Sequence, residues 1–413
     1  MDFISGVSLS DLLEVPNAER PTRLIREDIS DSDIEVVYRQ LANFLLQISE
    51  LDFDRIGSLP SPIATKNPMS TRPLTFKAHT ILQNGGVDTF GDRSQGFKTT
   101  ANYFQYVFGQ DWKQLIRQPN SILGLYDAKN KYLPFKVLQA LIPDLINPNY
   151  DRCKFKLICD DLGLANLIVR SKEELNIVGV VDLEWSYIGP AQLFGSAPWW
   201  LLQGRPVNSA WDCKGDEPPK IAARHFKYLD IFIRILQEEE ANMPGHEERE
   251  LSNLVKGSQA SGAMWLHMLL SFGFNDYRSF PFTQLRQHMA SEWAEREKEV
   301  DNVEEVEEVE AFAALKVREV DKYDEDLEKL EEEKALRMEE ETVLVDSGKT
   351  TREEFVADAL DGPGRPCSSS SIVNDGLRND EGLFYKLAAW LGLRVAELGA
   401  GAGAATVWNN VSR

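Results

Sequence analysis

The sequence is poor in cysteine and histidine. Its four cysteines, Cys153, Cys159, Cys213 and Cys367, form no C-x-x-C pair and are too sparse for a disulfide framework. That usage points to a reducing compartment, and so to the cytoplasm. The five histidines, His79, His225, His246, His267 and His288, are scattered without ligand spacing, so no metal cluster is read on them. No run of about 18 apolar residues occurs, so no membrane-spanning helix is expected. The opening stretch MDFISGVSLSDLLEV lacks a basic segment ahead of an apolar one and does not read as a signal peptide. Positive charge is scarce as well: 45 Lys and Arg face 66 Asp and Glu, a net charge of −21. A chain of that sign repels phosphate backbones, which argues against nucleic acid as a partner.

What is present suits a globular protein. Of 413 residues 43% are hydrophobic and nine are Trp, enough to bury a sizeable core and to exclude wholesale disorder. The acid surplus is uneven. Over 291–345 there are 22 acids and 8 bases, a net of −14, which leaves −7 for the rest. Three segments follow from this shift: a lobe over 1–290, an acidic helix over 291–345, and a linker and tail over 346–413.

Along the lobe, Ser30-Asp31-Ser32-Asp33 offers helix caps before apolar residues at Ile34, Val37, Tyr38, Leu41, Phe44, Leu45 and Ile48. That spacing predicts a helix ending near Leu51. Pro60, Pro62, Pro68 and Pro73, followed by Gly85, Gly86, Gly91 and Gly96, read as loop. Helices are predicted over 97–116, with Phe104, Val107 and Trp112 inward, and over 123–142, interrupted by Pro134. Two more are predicted over 220–239 and 247–272. Between them, 155–158, 167–169 and 177–181 are short and β-rich, and a polar turn at Ser171-Lys172-Glu173-Glu174 makes the last two a hairpin. In the acidic segment Val300, Val303, Val306, Val309 and Phe312 recur every three residues, which drifts off a heptad. A solvated single helix or a partly disordered arm, with few contacts to the lobe, is expected rather than a coiled coil. The stretch 362–371, GPGRPCSSSS, reads as a flexible linker.

The chemistry concentrates in Cys159-Asp160-Asp161-Leu162-Gly163-Leu164-Ala165-Asn166 and Val180-Val181-Asp182-Leu183-Glu184-Trp185. An Asp followed five residues later by an Asn, with a second Asp ending the next strand, is the arrangement phosphoryl transfer asks for. One carboxylate accepts the hydroxyl proton of the nucleophile. An amide oxygen and another carboxylate hold Mg²⁺ against the nucleotide phosphates. Asp161 is then the candidate base, Asn166 and Asp182 the candidate Mg²⁺ ligands, and Glu184 an outer carboxylate or a substrate contact.

These residues resemble the aminoglycoside phosphotransferase and choline kinase family, whose fold is similar to protein kinases and whose members read H-G-D-x-x-x-x-N and then I-I-D-W-E-W. Pro190-Ala191-Gln192 and the segment from Ala197 to Leu202 resemble a fungal branch of it. The start, Met1 to Leu9, resembles the hinge after the nucleotide lobe, and Leu51-Asp52-Phe53 with Ile56 to Leu59 also fits. The resemblance implies a mainly α fold with a small β-hairpin, the C-terminal helical lobe of a protein-kinase-like fold, followed by a long acidic helical arm. It implies ATP-dependent phosphoryl transfer to a small-molecule hydroxyl, with ATP and Mg as cofactors. Two departures stand out. Cys159-Asp160 replaces His-Gly before Asp161, and Met1 falls at the hinge itself, where about a hundred residues of Gly-rich loop, strand Lys and helix Glu would precede it. A weak or non-catalytic remnant is the competing expectation, with an exposed apolar cleft favouring self-association or a protein partner. A third expectation is an interaction protein working through the acidic arm.

One string stands apart. The stretch 394–403, RVAELGAGAG, resembles the first motif of S-adenosylmethionine-dependent methyltransferases. Ten residues follow Gly403, too few for a doubly wound sheet, so it reads as a Gly-Ala tail.

Overall fold

The computed structural model describes residues 4–14, 24–59, 71–152, 154–207, 211, 219–300, 303–349 and 351. The start of the hinge-like segment at 1–3, Pro60, Pro62 and Pro68, Cys153, Cys213 and Cys367, the linker over 362–371 and the string at 394–403 lie outside the described residues.

The chain is mainly helical, with two small antiparallel sheets. It opens with β1 (Val7–Ser8) and α1 (Leu9–Leu13), then α2 (Asp31–Ser49), β2 (Gly57–Ser58), α3 (Phe76–Gly85), α4 (Thr100–Arg117) and α5 (Leu125–Leu141). The strands β3 (Lys156–Cys159), β4 (Leu167–Val169), β5 (Ile177–Val180) and β6 (Ser186–Gly189) come next. After them run α6 (Ala191–Phe194), α7 (Lys220–Asn242), α8 (Glu250–Ala260), α9 (Ala263–Phe272), α10 (Phe280–His288), α11 (Ala290–Val300) and α12 (Val303–Asp346). One sheet has the order β1-β4-β5 and the other β2-β6-β3.

Helix α2 starts where its caps place it: Ser30 Oγ accepts the Asp33 N–H at 3.1 Å. Its apolar face lies on α7. There Tyr38 is fully buried among Trp200, Tyr228 and Phe232, and its hydroxyl donates to Leu201 O at 2.6 Å. In α4 both Phe104 and Val107 are buried, while Trp112 is half-buried against the rings of Tyr132 and Phe135. The hairpin is formed as β4 against β5, with Leu167 opposite Val180. Strand β3 belongs to the second sheet, paired with β6, a strand the β-pattern does not announce.

Four expectations are corrected. Helix α3 forms inside the Pro- and Gly-punctuated stretch, started by Thr75, whose hydroxyl accepts the Ala78 N–H. Its inward face carries Lys77, which pairs with Asp111 rather than with apolar neighbours, so the apolar pattern is faint. Helix α5 runs through Pro134 without interruption. The predicted helix over 247–272 is two helices, because Gly262 adopts a left-handed φ of 72° between α8 and α9.

The fourth correction concerns the acidic arm. Both α11 and the first half of α12 pack on α5. Phe312 lies 4.8 Å from the Tyr132 ring, Trp293, Ala313 and Lys316 are buried, and Lys129 pairs with Glu310. Lys316 Nζ donates to Gln118 O at 2.7 Å, just past the carboxyl end of α4, where cations suit the helix dipole. From Asp321 onward α12 is largely exposed, and only there does the solvated reading hold.

Candidate functional site

Each candidate residue sits on a connection between strands. The loop from β3 to β4 carries Asp161 and Asn166, and the loop from β5 to β6 carries Asp182 and Glu184. The two loops are joined by the Val181 N–H, which donates to Asn166 O at 2.9 Å. Asn166 and Asp182 are therefore neighbours, as the hairpin register implies. Asp182 holds a left-handed φ of 56°, a conformation more often left to Gly or Asn, and is exposed together with Glu184.

The Asn166 side chain turns inward. Its Oδ1 accepts the Gly163 N–H at 3.2 Å, and the residue is buried, so the amide braces its own loop. Gly163 is required there: a Cβ would stand 2.9 Å from the Trp199 ring.

Asp161 is half-buried, and burial raises its carboxyl above the usual range. Arg205 opposes that shift, and the negative charges of Glu184 and Asp182 add to it. Asp161 Oδ1 accepts from Arg205 Nη2 at 2.6 Å. The guanidinium is enclosed by rings, with the centroids of Phe76, Trp199 and Phe272 at 5.1, 4.9 and 4.5 Å from its carbon.

The pair that replaces His-Gly has its own partners. Cys159 faces Ser186 across the β3–β6 pair, and burial pushes its thiol up, away from nucleophilic character. Asp160 is buried and accepts the Phe76 N–H at 3.3 Å, which ties the end of β3 to the start of α3. Burial pushes its carboxyl up to about 6, against the pull of Arg205. Trp185 closes the far side, 5.6 Å from Phe76 and 4.9 Å from His79.

Sequence reasoning missed Arg205, Phe76 and Phe272. Arg205 stands in a Gly-Arg-Pro turn with no motif around it, and Phe76 opens the helix that the prolines concealed. For Mg²⁺, two carboxylates and an amide oxygen are a suitable donor chemistry, but only Asp182 and Glu184 are exposed for it. Among the described residues no group of three or more His, Cys, Asp or Glu side chains gathers to hold a metal. Also among them, no helix is long and apolar enough to cross a membrane. Set against known protein families, curated proteins and solved structures, the chain matches none.

Proposed function

We propose that this chain is a phosphotransferase-type lobe, the helical half of a protein-kinase-like fold, built for ATP-dependent phosphoryl transfer to a small-molecule hydroxyl in the cytoplasm. The observation that carries the reading is the junction of the two candidate loops, where the Val181 N–H donates to Asn166 O beside Asp182, with Asp161 near enough to Asp182 and Glu184 to feel their charge. Asp161 is the base that would take the hydroxyl proton. Asp182, with Glu184 beside it, would hold Mg²⁺, and Asn166 would join only by releasing Gly163. Bound Mg²⁺ would neutralise charge on the phosphates.

In its present state the site is latched. Asp161 is engaged by Arg205, so its acceptor lone pairs are partly spent. Phosphoryl transfer depends on positioning and charge stabilisation, and a base held by a guanidinium does neither for a hydroxyl. This favours the second reading, a chain that folds but turns over slowly or not at all. Calorimetric titration with Mg-ATP and a turnover assay test both. Weak binding and slow turnover are expected. Fast turnover unaffected by Asp161→Asn would remove the base from the account.

A further inference from the structure

Behind the β3–β4 loop lies a half-open cavity of about 120 Å³, lined by residues of α2, β3, the 193–200 segment, α7, α8 and α9. Its wall is mostly apolar, including Ile48, Ile158, Phe232, Val255 and Met268. The polar groups on it are few: Ser196, His267, Cys159, Asp160 and Ser271.

A chain of hydrogen bonds fixes what Ser196 can do. Gln192 Oε1 accepts the Asn147 N–H at 3.0 Å, and Gln192 Nε2 donates to Leu145 O at 3.2 Å. The amide is thereby oriented, and its Nε2 also faces His267 Nε2 at 3.2 Å. His267 Nε2 must accept there. Burial pushes this imidazole down to about 3, so it is neutral and carries its hydrogen on Nδ1. Nδ1–H then donates to Ser196 Oγ at 2.9 Å. Ser196 accepts from His267 and keeps its own hydrogen as a donor. This tautomer cannot take a proton from Ser196, so the pair is not a nucleophile and its base.

We propose that the cavity binds a small neutral molecule with one hydroxyl on a compact apolar body, of phenol size. A dry cavity of about 150 Å³ takes a benzene ring, and this one is slightly smaller. Ser196, whose oxygen already accepts from His267, donates its own hydrogen to the ligand oxygen. No Lys or Arg is among the described residues on the wall, so an anion finds no counter-charge. Among the described residues on the wall the one carboxyl is Asp160, and the charge of Arg205, 4.9 Å from the Trp199 ring, already acts on it, which disfavours a cation. The inference does not rest on the phosphoryl-transfer reading, and its test uses no nucleotide.

Calorimetric titrations of the full chain with phenol, benzene and phenyltrimethylammonium decide it. Saturable one-to-one binding of phenol is expected, about fivefold to tenfold tighter than benzene, the worth of one hydrogen bond. Ser196→Ala should bring phenol down to the benzene level. Val255→Phe, which fills the space, should abolish both, with a thermal melt confirming that the variant folds. If Val255→Phe does not fold, Ser196→Ala alone decides. Absence of saturable binding, an unchanged phenol preference in Ser196→Ala, or tighter binding of the ammonium compound would each overturn the proposal.

Discussion

The Arg205 guanidinium stands 2.6 Å from Asp161 Oδ1 while three aromatic rings from α3, the 199–202 turn and α9 surround it. Neither residue can move alone. Withdrawal of Arg205 exposes the rings and leaves Asp161, already raised by burial, without the cation that opposes the shift. The pair thus couples the candidate base to packing between the start of α3 and the end of α9.

Lys77 on α3 and Asp111 on α4 tie the start of α3 to the residues just past α9. The pair is buried at 2.6 Å, Lys77 also reaches Val107 O, and Asp111 Oδ1 accepts the Phe274 N–H. Burial drives the Asp111 carboxyl up, and Lys77 opposes it. Lys77→Met should cost about 3–5 kcal/mol in denaturant unfolding, because it strands a buried carboxylate. A Lys77→Met/Asp111→Leu double variant should cost less than the two single changes together. Additive losses would show that the pair is not coupled.

Acid should destabilise the fold through its buried imidazoles. Burial lowers His225 to about 4 and His267 to about 3, against an ordinary value near 6.5. The unfolded chain therefore binds more protons than the folded one below about pH 6.5. The stability these residues permit is complete above that pH and is lost as pH falls toward 4 and 3. Asp160, raised to about 6, works in the opposite direction between about pH 4 and 6, and Asp161 and Asp111, also raised by burial, act with it. The histidine contribution is read by comparing the change in melting temperature from pH 7 to pH 4 in the unmodified chain and in His225→Phe, and the loss on acidification should be larger in the unmodified chain. His225→Phe should flatten the drop, since it keeps a ring against Trp211 and removes two nitrogens without hydrogen-bond partners among the described residues.

The arm should divide in two. Lys316 anchors it through the carbonyls of Ile116 and Gln118, so Lys316→Ala should cost about 1–3 kcal/mol by removing those bonds and the packing of a buried side chain. Ending the chain after Tyr323 should leave the melting temperature nearly unchanged, whereas ending it before Glu307 should lower it by several degrees. Limited proteolysis of the intact chain should cut first beyond Asp321. Early cleavage within 307–320 would contradict the docking of α12 on α5.

How far the sequence could be read follows from the kind of signal each element carries. Helix α2 was legible because its caps and its apolar face are both local. The β4–β5 hairpin was legible because β-branched runs flank a polar turn. Helix α3 was not, because one of its three buried positions is a lysine whose partner lies on α4, 34 residues away. The docking of the arm escaped because a three-residue apolar spacing looks solvated until α5 is there to receive Phe312. At the candidate site, Asp161, Asn166, Asp182 and Glu184 follow from spacing, and the neighbourhood of Asn166 and Asp182 follows from the hairpin. Arg205 does not. Its partner is 44 residues back in the chain and its aromatic neighbours come from three segments, a relationship that exists only after folding.

The measurement that most directly tests the latched phosphotransferase account is Mg-ATP turnover of the chain beside Arg205→Met and Arg205→Met/Asp161→Asn. Methionine keeps an unbranched side chain among the three rings and removes the charge on Asp161. The account predicts slow turnover by the unmodified chain, a rise of about tenfold or more in Arg205→Met, and loss of that gain when Asp161 is also changed. Robust turnover by the unmodified chain that neither substitution alters, or a gain in Arg205→Met that survives Asp161→Asn, would contradict it.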